Sequence, residues 1–263
     1  MGAMTLLAAP LPALQRSQGT ADVALSGGAV RRLFTRGSAK AVCLPGEVVF
    51  LNTAGGLTGG DRLTYRLETD GPVTATTQTA ERAYRANDGH ARVTVDLSID
   101  RGRLDWLPQE TILFDRSALA RHTRIALSPR AEVLALEAVV LGRAAMGETV
   151  TTLAFEDRRE ITRAGRPVLL EPLRLTPEAL TGPATLRGAR AFASVALVAR
   201  GAEDALAAVR RVLDEPGVRG AASAFDGKLT ARLTAADGWP LRRQIARLLA
   251  VLRPRPLPRV WQL

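Results

Sequence analysis

Asn52-Thr-Ala-Gly-Gly-Leu-Thr-Gly-Gly-Asp61 leaves the apolar segment Val48-Val-Phe-Leu51 and runs straight into Arg62-Leu-Thr-Tyr-Arg-Leu-Glu68. The last segment sets Leu63, Tyr65 and Leu67 against Thr64, Arg66 and Glu68, the period of two of a half-buried strand. The unit is therefore strand, Gly-rich loop, strand, with Asp61 at the loop exit. Gly55, Gly56, Gly59 and Gly60 lose more backbone freedom on ordering than any other residue would. Two such pairs imply positive φ, or a surface that another chain must approach closely. Phosphate cradling is the first alternative to test. It needs Gly-Lys-Ser/Thr and a helix N-terminus, whereas here Asp61 stands where a cation belongs and a strand follows.

Composition narrows the class. The chain has 263 residues, 46% of them hydrophobic, enough for a substantial core, and no apolar run long enough for a membrane helix. Residues 1–14 read as a loose extension without a basic n-region, interrupted by Pro10 and Pro12, with Met4 a second candidate start. Cys43 is the sole cysteine and the histidines are His90 and His122, so neither a disulfide nor a high-affinity soft-ligand metal site is expected. A cytoplasmic location follows from the same features. The net charge of +10 comes almost wholly from arginines scattered along the chain. Three partners fit that balance: nucleic acid, an acidic protein, or none, the excess reflecting coding bias. Only 4% of residues are aromatic, which is sparse for base stacking.

Outward from the loop, strands are expected at Val23–Leu25, Ala29–Phe34, Gly37–Gly46, Val73–Thr79, Arg92–Asp100, Leu104–Leu107, His122–Leu127, Thr149–Ile161, Pro167–Arg174, Phe192–Val198 and Lys228–Leu233. Ala131–Leu141 suits either a strand buried on both faces or a short helix. Leu206, Val209 and Leu213 predict a helix over Ala202–Glu215. Leu241, Ile245, Leu248, Leu249 and Leu252 predict another over Pro240–Leu252, framed by Pro240 and Pro254. Arg253–Arg259 reads as an extended basic tail. With no repeat and no long linker, residues 15–263 are a mostly-β single domain with two late α-helices.

Five strings then occur in order: Asn52–Arg62, Thr76-Thr-Gln-Thr-Ala-Glu-Arg-Ala-Tyr-Arg85, Trp106-Leu-Pro-Gln-Glu-Thr-Ile-Leu-Phe-Asp115, Leu141-Gly-Arg143 and Pro258-Arg-Val-Trp261. Together they resemble the urease accessory protein D family (UreD, or UreH) from about Gln15 to Trp261. The resemblance implies a right-handed, two-layered β-helical fold with a pair of helices. It also implies a non-enzymatic scaffold that docks on apo-urease with the adaptor UreF and the GTPase UreG, in a dimer of heteromers. Nickel would be in transit along an internal channel, with no tightly bound cofactor.

On that reading Asp61, Glu47, Glu81 and Glu171 are candidates for the channel wall or mouth. Asp61 serves equally as a carboxylate capping loop N–H groups. Asn52 and the four glycines form the loop. Tyr84, Arg85, Gln109, Glu110 and Asp115 suggest an internal polar network. Trp106 and Phe114 read as core, and His90 and His122 as surface or turn residues. Arg242, Arg243, Arg255, Arg259 and Trp261 are partner-binding candidates, against a simple capping of the β core. Two other functions compete: an arginine-rich nucleic-acid-binding β protein, and a hydrolase, which lacks any Gly-x-Ser-x-Gly.

Overall fold

Alternating sequence builds a mostly-β molecule. The computed structural model describes residues 16–182 and 184–262, so the N-terminal extension lies outside the described residues. β1 (Gln18–Ser26) and β2 (Ala29–Gly37) form one hairpin, and β3 (Ala39–Leu44) and β4 (Glu47–Asn52) a second. Then come β5 (Arg62–Thr69), β6 (Val73–Thr77), β7 (Glu81–Ala83), β8 (Ala91–Ile99), β9 (Arg103–Leu107) and β10 (Thr111–Leu113). Long strands follow: β11 (Ser117–Leu127), β12 (Glu132–Leu141), β13 (Leu153–Arg163) and β14 (Arg166–Leu175). The remainder is α1 (Pro177–Thr181), β15 (Ala191–Val198), α2 (Leu206–Arg211), β16 (Val218–Phe225), β17 (Lys228–Ala235) and α3 (Gly238–Leu252).

One sheet runs β14-β13-β11-β8-β5-β1-β2. The other runs β16-β17-β15-β12-β9-β6-β4-β3, with β10 also pairing β12 and β7 pairing β10. Inside the first, β1, β5, β8, β11 and β13 pair in parallel; inside the second, β4, β6, β9 and β12 do. Each parallel pair is joined through a strand of the opposite sheet, so the chain passes back and forth between two layers. Phe50, Leu63, Tyr65, Trp106, Leu119 and Phe155 fill the space between them.

A second core lies on the far side of the larger sheet. There Leu136, Val195, Leu229 and Leu233 meet Leu241, Ile245, Leu248 and Leu249 of α3. This settles Ala131–Leu141 as a strand, because both its faces are covered. Asp237 caps α3, its carboxylate accepting the Gly238 N–H.

Among the described residues the structure has three α-helices and not the two expected, because the five-residue α1 shows no helical period in the sequence, and the three-residue β7 and β10 are too short to alternate. Further expectations change. Ala202–Glu215 holds only a 3-10 turn, Ala202–Ala205, and the six-residue α2. Its start has Gly201 and no side-chain cap, and at its end Gln244 of α3 donates to the Val212 carbonyl (2.7 Å). β16 was not expected, since Gly220-Ala-Ala-Ser223 carries no alternation; it is held by its ladder to β17. The C-terminal tail ends in a 3-10 turn, Arg259–Trp261, folded against the body.

A candidate site in the charged seam between the sheets

Charged residues sit in the inward phase of three strands. β11 alternates Leu119, Arg121, Thr123 and Ile125 toward the core, and β13 alternates Leu153, Phe155, Asp157, Arg159 and Ile161. Register places Arg121 beside Asp157, and Arg159 beside Glu171 of β14. On the facing sheet Glu137 pairs with Ser194, and Ser194 with Arg232. Strand pairing alone thus assembles a row of charges across the strands.

The contacts are close. Arg121 grips Asp157 with two hydrogen bonds, Nε to Oδ1 at 2.9 Å and Nη2 to Oδ2 at 2.7 Å, and its Nη1 lies 2.8 Å from Glu137 Oε2. The last is an ion contact without hydrogen-bond alignment, so Glu137 Oε2 has no aligned donor among the described residues. Trp106 Nε1 donates to the other Glu137 oxygen (3.2 Å). Arg159 pairs with Glu171 at 2.8 Å, and Glu171 also receives Ser194 and the exposed Arg232, at 2.7 Å. The seam therefore runs from the middle of the intersheet core to the surface at Arg232.

At its inner end is a cavity of about 40 Å³, lined by Glu81, Glu137, Arg121, Thr111, Gln109 and Tyr65 among others. That is room for one or two water molecules. Gln109 Nε2 is buried beside it with no hydrogen-bond partner among the described residues. Burial pushes Glu81 up to about 7, against a smaller opposing pull from its Asn52 hydrogen bond. Burial likewise raises Glu137, which Arg121 only partly offsets. Burial would raise Asp157 too, but the Arg121 charge and hydrogen bonds outweigh it and leave that carboxyl below its ordinary range.

The expected channel residues separate. Glu81 lies at the cavity, where its carboxylate takes Asn52 Nδ2 (3.1 Å), and Glu171 lies at the outer end of the seam. Asp61 is buried at the Gly-rich loop, accepting the N–H groups of Ser17 (2.7 Å) and Thr58 (2.8 Å), which is the capping geometry. Glu47 is half-buried at the start of β4, its carboxyl raised by burial and opposed by Arg253. In the loop Gly55, Gly56 and Gly60 take positive φ. A Cβ at Gly56 would overlap the Tyr84 ring, and one at Gly59 the Asp88 carbonyl. The close approach is by this chain itself.

The five polar-network candidates are not one network. Gln109 and Glu110 meet at Arg242, whose Nη1 is 2.7 Å from Gln109 Oε1 and 3.3 Å from Glu110 Oε2. Tyr84 and Arg85 are exposed instead, because β7 ends at Ala83 and turns them outward, Tyr84 stacking on Phe114. Asp115 caps Thr151 and Thr152 N–H groups near the surface, and those bonds lower its pKa. Trp106 and Phe114 are core, as expected, and His122 sits half-exposed on β11.

Among the partner candidates, Trp261 is buried, donating its Nε1 to the Leu107 carbonyl (3.0 Å) under the Arg242 guanidinium. Both residues therefore cap the core, because an indole on the second core is worth more buried than exposed. Arg243 pairs with Glu215, while Arg255 and Arg259 are exposed. On the outer face of the smaller sheet the arginines are interleaved with acids, as in Arg32–Asp22 (2.9 Å) and Arg124–Asp96 (2.6 Å). That face is not the uninterrupted basic stripe nucleic acid requires.

Arg121, Glu137, Asp157 and Arg159 were missed by sequence reasoning. A signal was present for Arg121, Asp157 and Arg159, each a charge in the apolar phase of a strand, but not for Glu137, whose strand is buried on both faces.

A family model described as UreD urease accessory protein matches residues 28–262. A relative named urease accessory protein UreD from Cereibacter sphaeroides is 61% identical, covering 98% of this chain and 100% of its own. One of the same name from Paracoccus denitrificans is 54% identical, over 95% and 93%. Another, from Rhizobium leguminosarum bv. viciae, is 44% identical, over 89% of each.

Proposed function

The chain belongs to the UreD family of urease accessory proteins, and from that premise we propose that it is a non-catalytic scaffold in urease maturation. It docks on apo-urease with UreF and UreG in the cytoplasm and helps deliver nickel to the urease active site, within a dimer of heteromers. Its strands wind in the right-handed sense that the family implies. The observation that carries the reading is the family match over residues 28–262, together with relatives aligned along nearly their whole length.

The ion's route is the space between the sheets. Arg121, Arg159 and Arg232 already balance the charges of Glu137, Asp157 and Glu171, so those carboxylates offer a divalent cation little net attraction. Glu81 makes none of those ion pairs and faces the cavity. A single carboxylate attracts Ni²⁺ without the deep well that a Cys or His cluster would create. Passage therefore centres on Glu81, while Asp61 shapes the loop that leads into β5.

Co-expression with apo-urease, UreF and UreG tests the scaffold role. The expected result is a complex containing this chain, and nickel-dependent activation that fails when the chain is omitted. Equal activation without it overturns the reading.

A further inference from the structure

Among the described residues eleven large hydrophobic side chains are exposed. Five of them, Val30, Leu33, Phe34, Val42 and Leu44, fall within fifteen residues on β2 and β3. β2 closes the seven-stranded sheet, so along one side its N–H and C=O groups have no strand partner among the described residues, and nearly every residue in it is exposed. A groove of about 810 Å³ adjoins it, lined in part by Leu25, Val30, Cys43, Leu44 and Val73. Scattered exposed apolar residues need no explanation, but five so close in sequence on β2 and β3, the end strands of the two sheets, do.

Charge selects the occupant. No carboxylate occurs between Asp22 and Glu47, whereas Arg31, Arg32, Arg36 and Lys40 do. Arg32 is held by Asp22 and Glu68; the exposed Arg31 and Arg36 make no ion pair among the described residues. A second copy pairing here would bring arginines against arginines with no acid between them, which is unfavourable. A lipid surface offers head-group acceptors but no regular row of donors and acceptors to continue the ladder. We propose that the β2 edge accepts an extended segment of a partner protein, alternating acidic and apolar residues, as an added strand. Backbone ladder bonds would supply the binding, Val30 and Leu33 on one face the apolar contact, and Arg36 on the opposite face the register, with Arg31 adding charge at the bulge in β2. This rests on the surface of the chain alone and stands apart from the route of nickel.

The test is hydrogen–deuterium exchange on the full chain, with and without a blocked nonapeptide alternating Glu and Val. Slowed exchange within Ala29–Gly37, with α3 unchanged, is the expected result. Binding should weaken at least tenfold in Arg31→Glu/Arg36→Glu, and fall with salt. Both positions are exposed, and an unchanged far-UV spectrum checks that the variant is folded. Four results would each overturn the proposal: no protection of β2, equal protection by a Lys–Val peptide, protection that grows with chain concentration alone, or protection by anionic vesicles alone.

Discussion

The two faces of the ten-stranded sheet bury different mixtures of chemistry. Toward α3 the central contacts are apolar, Leu136, Val195 and Leu233 against Leu241, Leu248 and Leu249, and the buried ion pair Arg253–Asp105 (2.8 Å) lies at the end of the helix. Toward the other sheet, Glu137 and Trp106 face Arg121, Asp157 and Arg159. Burying an ion pair gains little over a hydrophobic substitute, because desolvation offsets the attraction. The α3 side therefore supplies cohesion, and the seam carries a cost that function must justify.

Unbalancing the seam should have the largest effect. Arg121→Met leaves Glu137 and Asp157 buried without their shared cation, and should destabilise by about 3–5 kcal/mol in urea unfolding. Adding Glu137→Gln and Asp157→Leu should recover much of that loss; if it does not, the seam is itself a source of stability. On the apolar side, Leu248→Ala removes a fully buried side chain from the second core, and should cost about 3 kcal/mol in the same measurement.

Acidity distinguishes the faces further. Glu81 is raised to about 7 in the folded chain, so the folded state holds its proton over a range where the unfolded chain has released it. Its contribution is fully present below about pH 4.5 and is lost as pH rises through about 7. The effect is on the order of 3 kcal/mol at most. Glu81→Gln should flatten that slope in denaturation series from pH 4.5 to 8, whereas Leu248→Ala should leave it unchanged. An unaltered slope in Glu81→Gln would place the titrating group elsewhere.

A smaller change is expected at the loop. Asp61→Ala frees the Ser17 and Thr58 N–H groups and should cost about 2 kcal/mol. Asp61→Asn keeps one oxygen and should cost less. A loss no greater than at an exposed site would mean that the loop does not depend on this carboxylate.

Strands were legible where one face meets solvent, as in Arg92–Asp100, because alternation then marks them. Ala131–Leu141 was not, because covering both faces erases the period. The loop and Asp61 stood out through their glycines. The seam did not, since Arg121 and Asp157 are 36 residues apart in sequence and meet only through strand register. Trp261 read as a contact residue because nothing in a terminal Pro-Arg-Val-Trp string reveals the core it covers.

On the function proposed above, nickel passes through the intersheet space with Glu81 as its acidic point. Glu81→Gln keeps the shape and an acceptor for Asn52 while removing the charge. Complexes carrying it should be isolated intact by size exclusion, loaded with nickel, and timed as apo-urease activates. Intact complexes are expected, with activation slowed at least several-fold, more than in Asp61→Asn. Activation at the wild-type rate in intact Glu81→Gln complexes would contradict that route.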